Sequence, residues 1–226
     1  MVRHAGGRGG AGRPAGAAFG RGEGAPHPRA GRCEPPVAGG AGGRFPLRRL
    51  ARHPEAARSI KEIIWMGGST GRGNVGAYPE FNAWADPEAA AVVFASGLPL
   101  TMVGLNISHQ ALITEEVVQR IAAVGNRTAA FGVELLRFFS ASYDRAEGMP
   151  EGPLHDPITV AIAIDRAVAT VQRCHVDIET AGEFTAGATC VDLHDMLGKE
   201  PNADVALTLD VPAFWNLVTD AVAALA

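Results

Sequence analysis

Two amides and a carboxylate, Asn74, Glu80 and Asn82, fall within nine positions of one glycine-rich stretch, Trp65 to Glu88. A polyhydroxylated ligand such as a sugar suits that set, because each hydroxyl can donate to one group and accept from another. The competing reading is that all three are turn residues bonding the local backbone. A second candidate is the pair His155-Asp156. Histidine titrates near neutral pH and can serve as an acid toward a leaving group. Asp156 precedes Pro157 as Asp86 precedes Pro87, and helix capping alone accounts for an aspartate in either place. Spacing does not separate these readings. Weaker signals are Gly71-Arg72-Gly73, which lacks the Lys-Ser/Thr of a phosphate-binding loop, and Asp192, His194 and Asp195, which fall in a polar turn. His109 reads as an exposed turn residue and His175 as a strand residue.

These residues need elements to hold them. Leu50 to Ile60 reads as a short helix and Lys61 to Met66 as a buried strand ended by Gly67-Gly68. Asp86-Pro87-Glu88 has the chemistry of a helix start. Leu98 to Ile107 reads as a second buried strand. Thr114 caps a helix to about Val124, and a longer helix from Thr128 to about Arg145 sets Phe131, Leu135, Phe138 and Phe139 on an apolar side. Leu154-His155-Asp156-Pro157 opens a helix through about Ile164. Val168 to Thr180, Thr189 to Leu193 and Asp204 to Leu209 read as strands, with an amphipathic helix from Val211 to Leu225. Strand and helix alternate in the first half, which predicts an α/β fold with a mostly parallel sheet flanked by helices. The late strands, joined by short turns, predict an antiparallel addition.

Residues 1–52 differ from the rest. They are dominated by Gly, Ala, Arg and Pro, hold neither Asp nor Ile, and show no hydrophobic period. They read as disordered, or as a non-native segment of the kind a wrong reading frame in GC-rich DNA would yield. Residues 53–226 then form the structured domain. Apolar content of 47% allows a substantial core, and a net charge of −4 offers no basic field for nucleic acid or anionic lipid. Neither a nucleic-acid nor a membrane partner is expected. Cys33, Cys174 and Cys190 show no CxxC spacing and are odd in number, so a cytoplasmic protein without a disulfide framework or zinc site is expected.

Together, Met66-Gly67-Gly68, Asn74, Glu80-Phe81-Asn82, Asp86-Pro87-Glu88-Ala89-Ala90, His155-Asp156-Pro157 and Asp210-Val211-Pro212-Ala213-Phe214-Trp215 carry a resemblance. Residues 60–226 resemble the carboxyl-terminal two-thirds of the inosine-uridine-preferring nucleoside hydrolases. The resemblance implies Rossmann-like layering and hydrolysis of a ribonucleoside to free base and ribose. It also implies roles. Asn74 and Glu80 would hold the ribose 5′-hydroxyl, Asn82 the lower hydroxyls, and Met66 and Phe81 would line the sugar site. Asp156 would ligate Ca2+, and His155 would face the base and help protonate it as it leaves.

One departure stands out. The family's amino-terminal DxDxxxDD motif supplies most Ca2+ ligands and the general base, whereas the first aspartate here is Asp86. The first strands of the parallel sheet are expected to be missing with it. One carboxylate, Asp156, does not satisfy a cation that takes roughly six to eight oxygens, so the chain is expected to be catalytically impaired. A non-catalytic ribose-binding or interaction protein is the competing reading, and homo-oligomerisation is left open.

Overall fold

The computed structural model describes residues 38–39 and 54–225. The expectation for residues 1–52 therefore lies outside the described residues, apart from β1, Ala38–Gly39, a strand the sequence reading did not foresee. The remaining strands are β2, Ile63–Met66, β3, Leu100–Val103, β4, Ala169–Ile178, β5, Thr189–Asp192, and β6, Ala203–Leu209. They form one sheet in the order β1-β2-β3-β6-β4-β5. β1, β2, β3 and β6 pair in parallel. β4 runs antiparallel to both β6 and β5, the antiparallel addition the short turns predict.

Alternation along the parallel strands feeds two cores, because successive side chains leave opposite faces of a sheet. Ile63 and Trp65 join Met102 and Val205 against α1, Phe81–Ala85, and α2, Pro87–Phe94. Ile64 and Val103 join Ile107, Ile158, Phe214 and Trp215 on the other face. The second face is covered by α4, Glu115–Ala122, α5, Arg127–Glu147, α6, Pro157–Ile164, and α7, Val211–Ala224. Helices on both faces of a largely parallel sheet make the fold α/β, as expected.

Several helix starts follow their sequence signals. Asp86, Thr114, Asn126 and Asp210 each accept a backbone N–H from three residues on, satisfying a donor the first turn leaves unpaired. Three expectations need correction. The Leu98 to Ile107 strand ends at Val103: Gly104 turns the chain, and α3, Leu105–Ser108, follows as a short helix. An unbroken apolar run does not distinguish a buried strand from a buried helix. The Leu50 to Ile60 helix appears as a 3-10 turn, Pro54–Ser59. The apolar side assigned to α5 divides, with Phe131, Leu135 and Phe138 at 66%, 54% and 69% exposure while Phe139 packs inward. The residues at i, i+4 and i+7 share one face, and Phe139 belongs to the next.

Candidate active site

The site lies beyond the carboxyl ends of β2 and β3, where open α/β sheets bind ligands. Met66 ends β2, and the chain then turns through Gly67 and Gly68. Gly68 has φ +71°, and a Cβ there would collide with Thr189 and Met102, so only glycine fits. Thr189 fastens the turn to β5, accepting from Ser69 N at 2.9 Å and donating to Ser69 O at 2.6 Å. The 73–79 loop closes on itself through Asn74 N to Pro79 O at 3.2 Å and Val75 N to Pro79 O at 3.3 Å.

Each of the three loop residues is half committed to backbone. Asn74 Oδ1 accepts from Phe81 N at 2.9 Å. Glu80 Oε2 accepts from Gly68 N at 2.8 Å and from Ala83 N at 3.2 Å, capping α1. Asn82 Nδ2 donates to Met66 O at 3.2 Å. The backbone-bonding reading therefore holds, and it does not exhaust these side chains. Among the described residues Asn74 Nδ2 and Asn82 Oδ1 have no hydrogen-bond partner, one a donor and the other an acceptor. Local bonding orients each group and leaves its other end for the cleft.

His155 and Asp156 line the same cleft. Two strand-like contacts fix them, Ile113 N to Gly152 O at 3.0 Å and Leu154 N to Ala111 O at 2.9 Å, around a bridge between Leu112 and Pro153. His155 Nδ1 lies 2.8 Å from Ser108 Oγ. Burial, and secondarily the neighbouring His109, push the imidazole down to about 4, so His155 is neutral at neutral pH. Burial raises the Asp156 carboxyl, and burial first, with Asp156 as a minor contributor, raises Glu80.

All seven residues singled out from sequence, Met66, Asn74, Glu80, Phe81, Asn82, His155 and Asp156, line one cleft of about 230 Å³. Sequence reasoning missed three others on its wall, Leu105, Phe139 and Tyr143. Phe139 and Tyr143 are four apart on α5 and so share a face, a signal the period carried. His109 also corrects its reading as an exposed turn residue. It is half-buried, its Nε2 lies 3.3 Å from Tyr143 Oη, and its ring sits 6.1 Å from that of His155. Its place just after β3 was the usable clue.

One side chain of the cleft has the surroundings of a cation ligand. Asp156 Oδ1 is buried with no hydrogen-bond partner, as a metal-ligating oxygen would be. No group of three or more His, Cys, Asp or Glu among the described residues is arranged to hold a metal. A hard cation needs roughly six to eight oxygens, so these residues do not fit Ca2+ by themselves. Asp192, His194 and Asp195 do not make a centre either: the Asp192 carboxylate accepts from Met196 N and Leu197 N.

The sequence profile of the inosine-uridine preferring nucleoside hydrolases matches residues 48–216. The pyrimidine-specific ribonucleoside hydrolase RihA of Shewanella sp. (strain ANA-3) is 43% identical over 175 residues, 77% of this chain and 55% of that protein. That of Enterobacter sp. (strain 638) is 42% identical over 176 residues, 77% and 56%. The chain thus spans about half the length of these curated relatives. Among solved structures, the purine-preferring ribonucleoside hydrolase from Gardnerella vaginalis superposes with a TM-score of 0.72 at 30% identity, covering 84% of this chain and 60% of that one. The chain belongs to the inosine-uridine preferring nucleoside hydrolase family.

Proposed function

We propose that the cleft binds the ribose of a pyrimidine ribonucleoside and presents its N-glycosidic bond for hydrolysis. The observation that carries this reading is the meeting in one cleft of Asn74, Glu80 and Asn82 with a neutral His155. Asn74 Nδ2 donates to a ribose hydroxyl, while Asn82 Oδ1 and the Glu80 carboxylate accept from others, and Met66 and Phe81 line the sugar. In the reaction, water adds to the anomeric carbon, the C–N bond breaks, and the base leaves with a proton. On this reading His155 hydrogen-bonds that base, and Phe139 and Tyr143 offer it aromatic surface. The pyrimidine preference is supported by relatives at 42–43% identity named as pyrimidine-specific.

Catalysis also needs a group to activate water, and in this family that work falls to a Ca2+ site to which Asp156 would contribute. The described residues supply one such carboxylate. On this reading the described residues form a binding half-site, and the chain, whose sequence holds no aspartate before Asp86, has little or no turnover of its own. Two free cysteines, Cys174 and Cys190, accord with a reducing, cytoplasmic setting, and no helix among the described residues is long and apolar enough to cross a membrane.

Two measurements test the reading. Calorimetry should detect ribose binding that Asn82→Ala weakens about tenfold, roughly 1.4 kcal/mol; an absence of binding would overturn the ribose assignment. With Ca2+ and uridine or inosine, a reducing-sugar assay should show no ribose release from the purified chain, and brisk turnover would overturn the half-site reading.

A further inference from the structure

Ser108 has no exposure to solvent, and its hydroxyl carries a single proton. Two acceptors lie near it, His155 Nδ1 at 2.8 Å and Leu105 O at 3.4 Å. The second distance exceeds the usual O–H···O range of about 2.5–3.0 Å. Leu105 O already accepts from His109 N at 2.9 Å. If His155 donated from Nδ1, the Ser108 proton would be left with that long contact alone, inside the core, where a poorly satisfied donor is costly. The arrangement with normal distances throughout has Ser108 Oγ–H donating to Nδ1. A neutral ring accepting at Nδ1 carries its hydrogen on Nε2. Among the described residues Nε2 has no hydrogen-bond partner, and the ring lines the cleft.

We propose that Ser108 is a positioning residue that fixes His155 in the Nε2–H form, so that His155 offers the base a hydrogen-bond donor. The ligand feature this selects is an acceptor on the base, a carbonyl oxygen or an unprotonated ring nitrogen. The significance for hydrolysis rests on the reading of the cleft as a nucleoside site; the proton placement does not.

The placement is read directly by two-bond proton–nitrogen correlation spectra of the ligand-free 226-residue chain with 15N-labelled histidine, recorded at pH 7.5. The His155 spin system is identified by its loss in His155→Gln. The expected pattern is a pyrrole-like Nε2 and a pyridine-like Nδ1. A pyrrole-like Nδ1, or averaged nitrogens, would overturn the proposal. Ser108→Ala should move Nδ1 downfield as its hydrogen bond is lost, and Ser108→Thr should restore the parent position. An unchanged Nδ1 in a folded Ser108→Ala would overturn it equally. Failure of the nucleoside reading would appear separately, as absent ribose binding with the nitrogen pattern intact.

Discussion

Two Asp-Pro junctions in this chain look alike in sequence and behave differently. Asp86 sits in non-helical backbone, φ −159° and ψ 75°, and its side chain accepts from Ala89 N at 3.2 Å. Asp156 already has helical angles, φ −62° and ψ −39°, and makes no such bond. A capping side chain needs non-helical backbone to swing over the first turn. At the second junction the turn begins a residue early, with Ile158 N on His155 O at 3.3 Å, and Thr159 bonds the Asp156 carbonyl in place of its carboxylate. The Asp156 side chain is thereby left for the cleft, its Oδ1 buried without a partner. One aspartate stabilises the fold, and the other is held in the site at some cost to it.

The contrast can be broken by substitution. Asp86→Ala should lower stability the most, by about 1–2 kcal/mol from loss of a buried cap, read as a drop in the urea midpoint at constant slope; an unchanged midpoint would remove the distinction. The next effect is acid sensitivity at the second junction. His155, held near pKa 4 against 6.5 in the unfolded chain, binds its proton more readily when unfolded, so its contribution is complete above pH 6.5 and is lost as pH falls toward 4. The raised Asp156 and Glu80 carboxyls oppose this trend, so the fair readout is His155 itself. Its proton resonances should titrate near pH 4, and a midpoint near 6.5 would contradict the burial described. Asp156→Asn should have the smaller stability effect, within about 0.5 kcal/mol of the parent, because no cap is lost. Last, millimolar Ca2+ should leave the thermal midpoint of the chain unmoved. A rise that Asp156→Asn abolishes and Asp86→Ala preserves would mean that the chain completes a cation site after all.

Much of this was legible in sequence because local chemistry and burial agree. Asp86-Pro87, Thr114 and Asp210 each pair a capping residue with an apolar helix, and the strand runs around Ile63 and Val205 are buried on both faces. Asn74, Glu80 and Asn82 stand out by residue type and His155-Asp156 as a pair, and it is the resemblance to the nucleoside hydrolases that joins them with Met66 and Phe81 into one site. What remained hidden depends on backbone angles or on distant packing. Nothing in the letters Asp-Pro says which junction has turned helical before the aspartate. Gly104 ends an apolar run that continues through it, and Ser108 and His109 matter only because Gly152 to His155 is laid against Ala111 to Ile113. The outward face of α5 breaks the rule that apolar residues at helical spacing are buried, which sequence alone has no means of announcing.

The clasp between Ala111 to Ile113 and Gly152 to Leu154 has a consequence for how such a site can change. Everything from α4 to the end of α5 is an excursion that leaves and re-enters at one point, where Ile113 N on Gly152 O and Leu154 N on Ala111 O hold its ends together beside His155 and Asp156. The excursion carries Phe139 and Tyr143, while on the rest of the cleft Met66 ends β2, Asn74 and Glu80 lie in the β2–α1 loop, and Phe81 and Asn82 open α1. A substitution on α5 at Phe139 or Tyr143 therefore acts on His155 directly, whose ring stands 6.4 and 5.7 Å from theirs.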